Sequence, residues 1–141
     1  MNRLTGKTAL ITGASSGIGE TMARQLAALN CPLILVARRT DRLESLKSEL
    51  EQQHSIQVVT ISIDLSVPGS AQALYDQCQE QGLQVDILIN NAGIASGGRF
   101  LDTELTTWKK VLDVNLMGVI NGCHYFIPLM MHGKGGHVVN L

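Results

Sequence analysis

Five short, nearly continuous apolar runs punctuate the chain, at residues 8–12, 33–37, 57–63, 86–89 and 137–141. Runs this brief, without polar alternation, suit strands buried on both faces, as in a parallel sheet. Longer segments of helical period separate them. The first carries Ile18, Met22, Leu26 and Leu29 on one face. The second carries Leu43, Leu46 and Leu50, with Arg42, Glu44, Lys47, Glu49 and Glu51 turned to water. A weaker third runs from Pro68 to about Gln81, with Ala71, Leu74 and Cys78 as its stripe and Pro68 suited to its first turn. The fourth spans residues 105–132, with Leu112, Leu116, Val119, Cys123, Phe126 and Met130 at helical spacing; Pro128 is where a kink or an end is expected. Strict β-α alternation predicts an α/β fold, a doubly wound parallel sheet with helices on both faces. Ligands of such folds sit beyond the carboxyl ends of the strands, so the residues after each strand are the ones to inspect.

Composition narrows the function classes. A length of 141 residues suits one domain, residues 1–141. Lys and Arg number 11 against 12 Asp and Glu, a net charge of −1, which argues against a strongly basic nucleic-acid binder. Cys31, Cys78 and Cys123 are odd in number and lack a C-x-x-C pair, so neither a disulfide framework nor a zinc clip is suggested. Reduced thiols in a cytoplasmic protein are expected. His54, His124, His132 and His137 offer no i,i+4 pair, and no metal is expected. Residues 114–133 contain no Asp, Glu, Lys or Arg, but they include Asn115, Asn121, His124, Pro128 and His132. A buried helix is expected there, not a membrane span.

The chemistry concentrates after the first two strands. Thr12-Gly13-Ala14-Ser15-Ser16-Gly17-Ile18-Gly19 carries three glycines between a strand and a helix. Gly13 can make the tight turn, Gly17 lets the backbone approach a pyrophosphate, and Gly19 lets the helix lie close on the sheet. Helix N–H groups and the helix dipole favour the anion, and Ser15 and Ser16 add hydroxyl donors. The spacing is not that of a Walker loop, since no Gly-Lys-Ser/Thr follows. A purely structural glycine turn is the alternative. The second strand ends in Ala37-Arg38-Arg39, with no acid before Asp41. An acid near this point would accept from a ribose 2′-OH, whereas arginine accommodates a 2′-phosphate. NADP is therefore expected over NAD, with the alternative that one or both arginines merely open the next helix.

These residues resemble the short-chain dehydrogenase/reductase family. Thr12–Gly19 is similar to its cofactor loop, and Asn90-Asn91-Ala92-Gly93 to its N-N-A-G motif after the fourth strand. Val114-Asn115-Leu116-Met117-Gly118 resembles its fourth-helix asparagine segment, residues 135–141 the start of its fifth strand, and Asp64-Leu65 its adenine-contacting acid and neighbour. The resemblance covers nearly the whole chain and implies a Rossmann-like fold. It implies that Gly13, Ser15, Gly17, Ile18 and Gly19 hold the pyrophosphate and ribose. Arg38, with Arg39 beside it, would read the 2′-phosphate. Asp64 would accept from the adenine amino group, with Leu65 beside the ring. Asn91, Ala92 and Gly93 would line the cofactor and brace the sheet. Asn115 would belong to the catalytic tetrad, holding a water in a proton relay; the bland alternative is a buried Asn bonded to backbone.

The family's other catalytic residues, a Ser after the fifth strand and a Tyr-x-x-x-Lys, have no counterpart in these 141 residues: Tyr75 is followed by Gln79 and Tyr125 by Leu129. The chain therefore reads as the N-terminal, cofactor-binding part of an enzyme interconverting a carbonyl and an alcohol by hydride transfer, truncated after the fifth strand and inactive alone. The expected partners are a small carbonyl or alcohol substrate and further copies of the chain in a homo-oligomer, with neither nucleic acid nor membrane. A non-catalytic NADP-binding or assembly module is the alternative. The fifth strand is expected to be an exposed edge. Residues 96–99, Ser-Gly-Gly-Arg, either flank a substrate cleft or form a mobile loop.

Overall fold

All five apolar runs become parallel strands in the computed structural model, which describes residues 3–141. The first two residues of the expected 1–141 domain lie outside the described residues. The strands are β1 (Ala9–Thr12), β2 (Leu33–Ala37), β3 (Val58–Ser62), β4 (Ile87–Asn90) and β5 (His137–Asn140). Their order across the sheet is β3-β2-β1-β4-β5. Ala9 pairs with Leu33 on one side and Ile87 on the other, and Ile87 pairs with His137. Order therefore reverses between β1 and β4. Helices α1 (Gly17–Ala28), α2 (Thr40–Gln53), α3 (Ser70–Glu80), α4 (Leu105–Leu112) and α5 (Gly118–His132) complete the fold.

Side-chain alternation along β1 to β4 feeds two cores, whereas β5, expected to be buried on both faces, is exposed at His137, Val138 and Asn140. Ala9, Ile11, Leu33, Leu35, Ile87 and Ile89 pack with Ala23, Ala27, Leu43, Leu46 and Leu50 of α1 and α2. Leu10, Ile34, Val36, Ile61 and Leu88 pack on the opposite face with Leu74 and Cys78 of α3 and Phe126 and Met130 of α5. Each fully buried Leu or Ile is worth about 2 kcal/mol relative to exposure, so the central strands hold the sheet together.

Three helical expectations change. In α1 the buried row is Gly19, Ala23 and Ala27, not the larger side chains. Met22, Leu26 and Leu29 are partly buried against the core, and Ile18 is 63% exposed. Small residues let this helix settle close to the sheet, so the bulky ones flank the contact. Pro68 precedes α3 instead of lying in its first turn; Gly69, at φ +81°, takes the N-cap. The long fourth helix is interrupted by a π turn over Asp113–Met117. The extra residue in a π turn shifts the helical register. As a result Leu112 and Leu116 are about half exposed, and the buried row is Val114, Gly122, Phe126 and Met130. Pro128 does not end α5, which continues to His132. By length and composition alone, Leu105–His132 could cross a membrane. Val114, Gly122, Phe126 and Met130 pack into the domain, but only 22% of the apolar stretch is buried, so the segment is not the buried helix expected.

Candidate functional site

The carboxyl ends of β1, β2, β3 and β4 open onto one cleft of about 240 Å³. Gly13, Ser15, Ser16, Arg38, Arg39, Asp64, Leu65, Asn91, Ala92 and Gly93 all line it. Four predicted residues do not: Gly17, Ile18, Gly19 and Asn115. Gly17 and Ile18 open α1 beside the cleft, with Ile18 largely exposed, and Gly19 is buried beneath it. Lys110 and Val114 of α4 and its π turn also line the cleft. The sequence reading missed both, although Val114 immediately precedes Asn115.

The glycine loop is built by close packing. Gly13 sits at φ +67°, and a Cβ there would come within 2.9 Å of Ala92 Cα and Asn91 Nδ2. A Cβ on Gly19 would overlap the Gly13 carbonyl and lie 2.5 Å from Asn91 Nδ2. Gly17, at φ +57°, has open space around it and needs glycine for its backbone alone. The loop ends in the first turn of α1, where the N–H groups of Ser16, Gly17 and Ile18 find no acceptor among the described residues. No hydrogen bond occupies the Ser16 hydroxyl as an N-cap.

Thr12 and Asn91 tie β1 to the β4 loop. Thr12 Oγ1 accepts from the N–H groups of Asn91 and Ala92, both at 3.0 Å. Asn91 Nδ2 donates to the carbonyls of Thr12 (3.0 Å) and Gly13 (3.2 Å). Asn91 therefore lines the cleft and also fixes the glycine turn.

At the end of β2, the Arg38 carbonyl accepts from Ser62 Oγ at 3.0 Å, anchoring the backbone from which both arginine side chains leave. Arg39 takes the N-cap position of α2, and its carbonyl accepts from Leu43 N–H at 3.1 Å. After β3, Asp64 Oδ1 accepts from Ser66 Oγ (2.7 Å) and Ser66 N–H (2.9 Å). These bonds, the hydroxyl first, hold its carboxyl below the ordinary carboxylate range, with Arg38 and Lys110 adding attraction.

Asn115 lies within the π turn and does not line the cleft. It is exposed, not buried among the apolar residues around it. Its side chain closes a ring with the β4 loop: Oδ1 accepts from Ile94 N–H and Nδ2 donates to the Ile94 carbonyl, both at 2.8 Å. The three cysteines are free thiols, Cys31 and Cys78 buried. No metal-holding cluster of His, Cys, Asp and Glu occurs among the described residues.

The profile of the family described as short chain dehydrogenase matches residues 7–141. The NADP-dependent 3-hydroxy acid dehydrogenase of Schizosaccharomyces pombe is 33% identical over 143 residues, covering 100% of this chain and 55% of that protein. L-sorbose reductase from Gluconobacter frateurii, solved with NADPH and L-sorbose, superposes with a TM-score of 0.92 at 28% identity, over 97% of this chain and 52% of that one. A short chain dehydrogenase/reductase from Burkholderia phymatum, solved with NAD, gives 0.89 at 33% identity, over 99% and 50%. The chain thus spans about half the length of the relatives it matches.

Proposed function

The chain belongs to the short chain dehydrogenase family, and from that premise we propose that its cleft binds a nicotinamide dinucleotide, NADP in preference to NAD. One observation carries the reading. Unspent N–H groups at the start of α1 and two arginines at the end of β2 border the same cleft, while the nearest acid after β2, Asp41, does not line it. The first arrangement suits a pyrophosphate and the second a 2′-phosphate. NADP or NADPH in relatives such as L-sorbose reductase supports the choice, and the NAD complex of the Burkholderia phymatum protein marks the rival.

The residues fit the group. Gly13, Ser15, Ser16, Gly17 and Ile18 would receive the pyrophosphate and ribose, with Gly19 holding the helix beneath them. Arg38, assisted by Arg39, would take the 2′-phosphate. Asp64 Oδ2, which makes no hydrogen bond, would accept from the adenine amino group, with Leu65 beside the ring. Asn91, Ala92 and Gly93 would form the wall nearer the nicotinamide. When bound, the nicotinamide gives or takes a hydride, and the protein's reaction would interconvert a carbonyl and an alcohol. Asn115 would serve that centre as a positioning residue, because its amide is committed to Ile94. A row of exposed apolar residues, Leu105, Leu112, Leu116, Met117 and Ile120, supports self-association of the chain.

Thermal denaturation with saturating NADP and NAD tests the cofactor. A ligand at 100 times its dissociation constant adds about 2.7 kcal/mol. At equal concentrations NADP should raise the melting temperature more than NAD, and Arg38→Gln should abolish the difference. Equal shifts in the unsubstituted chain would contradict the 2′-phosphate assignment.

A further inference from the structure

Two lysines follow each other on α4 and do different things. Lys109 Nζ meets Asp113 Oδ2 at 2.6 Å on the solvent side. Lys110 has no carboxylate within ion-pair distance among the described residues. A step of one residue turns the helix by about 100°. That rotation, with Val114 one turn further on, puts Lys110 on the cleft. The cleft's charged lining is then three cations, Arg38, Arg39 and Lys110, against one carboxylate, Asp64. The two arginines enter from the end of β2, whereas Lys110 enters from a different element. Resting on the dinucleotide reading above, we propose that Lys110 is a further cofactor-affinity residue that flanks the adenine end from the α4 side and acts whether or not a 2′-phosphate is present.

The physical reason is charge balance. A bound dinucleotide brings a pyrophosphate into a site that already holds an ionised Asp64. Asp64 feels the attraction of both Arg38 and Lys110. An ammonium on a flexible stem offsets the repulsion between carboxylate and phosphates without needing the directed geometry that an arginine fork supplies to a phosphate. Val114 adds an apolar wall, only 7% exposed, on the same side. Lys110 thus complements the base and the net charge, while Arg38 complements the extra phosphate.

Calorimetric titration of the chain with NADPH and with NADH separates these roles. Lys110→Gln should weaken both ligands about three- to five-fold, the size of one screened surface charge. The NADPH to NADH affinity ratio should not change, and the loss should shrink as salt is raised. Lys110→Arg should restore both affinities, whereas Arg38→Gln should weaken NADPH alone. Unchanged binding by Lys110→Gln, a loss confined to NADPH, or an arginine variant as weak as glutamine would each overturn the proposal. If the unsubstituted chain binds neither ligand, the dinucleotide reading fails and takes the Lys110 role with it.

Discussion

Gly13, Gly17 and Gly19 look alike in the sequence, yet they answer to different physics. Gly17 is required by its backbone and has room around it, so Gly17→Ala should cost about 1 kcal/mol of left-handed strain. Gly19 is in ordinary helix but packed against the Gly13 carbonyl and Asn91, so Gly19→Ala should cost about 1–3 kcal/mol by overpacking. Urea titration of both variants checks the order, and a smaller loss at Gly19 would contradict the packing account. A second expectation concerns Cys78, whose thiol is pushed by burial from 9.0 up to about 11. A group raised in the folded state stabilises below its unfolded value, and that contribution is lost as pH rises. Stability should therefore fall between about pH 9 and 11, by about 3 kcal/mol at most. Cys78→Ala should flatten that part of the profile, once its constant cavity cost is subtracted. At this scale chemistry and spacing pointed to Gly13 and Arg38, and the family resemblance to Asp64 and Asn91; all four line the cleft. Lys110 was illegible because a lysine on a helix becomes a cleft residue only when the helix's placement beside the cleft is known.

The α4 and α5 segment shows where periodicity stops being a guide. Helical spacing across residues 105–132 predicts one continuous stripe, but the π turn at Asp113–Met117 splits it and exposes Leu112 and Leu116. No local composition announces that extra residue. Its function becomes visible only with Asn115 and Ile94 paired: the turn presents an amide that holds the β4 loop in place. Asn115→Leu should remove both bonds, costing about 1–2 kcal/mol, and should speed hydrogen exchange at the Ile94 amide more than at the β4 amides. Uniform acceleration across β4 would show a general loosening in place of a specific tether. The strands, by contrast, fall within a residue or two of expectation; β1, β2 and β4 are buried and leave uninterrupted apolar runs, whereas β3 is half-buried and β5 exposed.

Over the whole molecule, helices cover both faces of the central strands but leave β5 exposed, and exposed apolar residues lie on α4, the π turn and the start of α5 as well as at Phe100, Leu101, Met131 and Val138. β5 pairs only with β4, leaving its outer edge unpaired among the described strands. Sedimentation of the chain over a concentration series should reveal self-association, and Ile120→Lys should weaken it; monomers at every concentration would contradict that expectation. Strand–helix alternation alone indicated the parallel α/β architecture, and the rule that ligands sit beyond the carboxyl ends of such strands pointed to the cleft. The splitting of α4 from α5 and the α4 wall of the cleft needed tertiary geometry. The central claim is that the carboxyl ends of β1 to β4 form one dinucleotide site that distinguishes NADP from NAD at Arg38. Titration of the ¹⁵N-labelled chain with each dinucleotide tests it most directly. Amide shifts should cluster at Gly13–Ile18, Asp64–Leu65 and Ala92–Gly93 with both ligands, and at Arg38–Arg39 more strongly with NADP. Shifts centred on Lys134–His137 at the opposite end of the sheet, or identical shifts at Arg38 with both ligands, would contradict it.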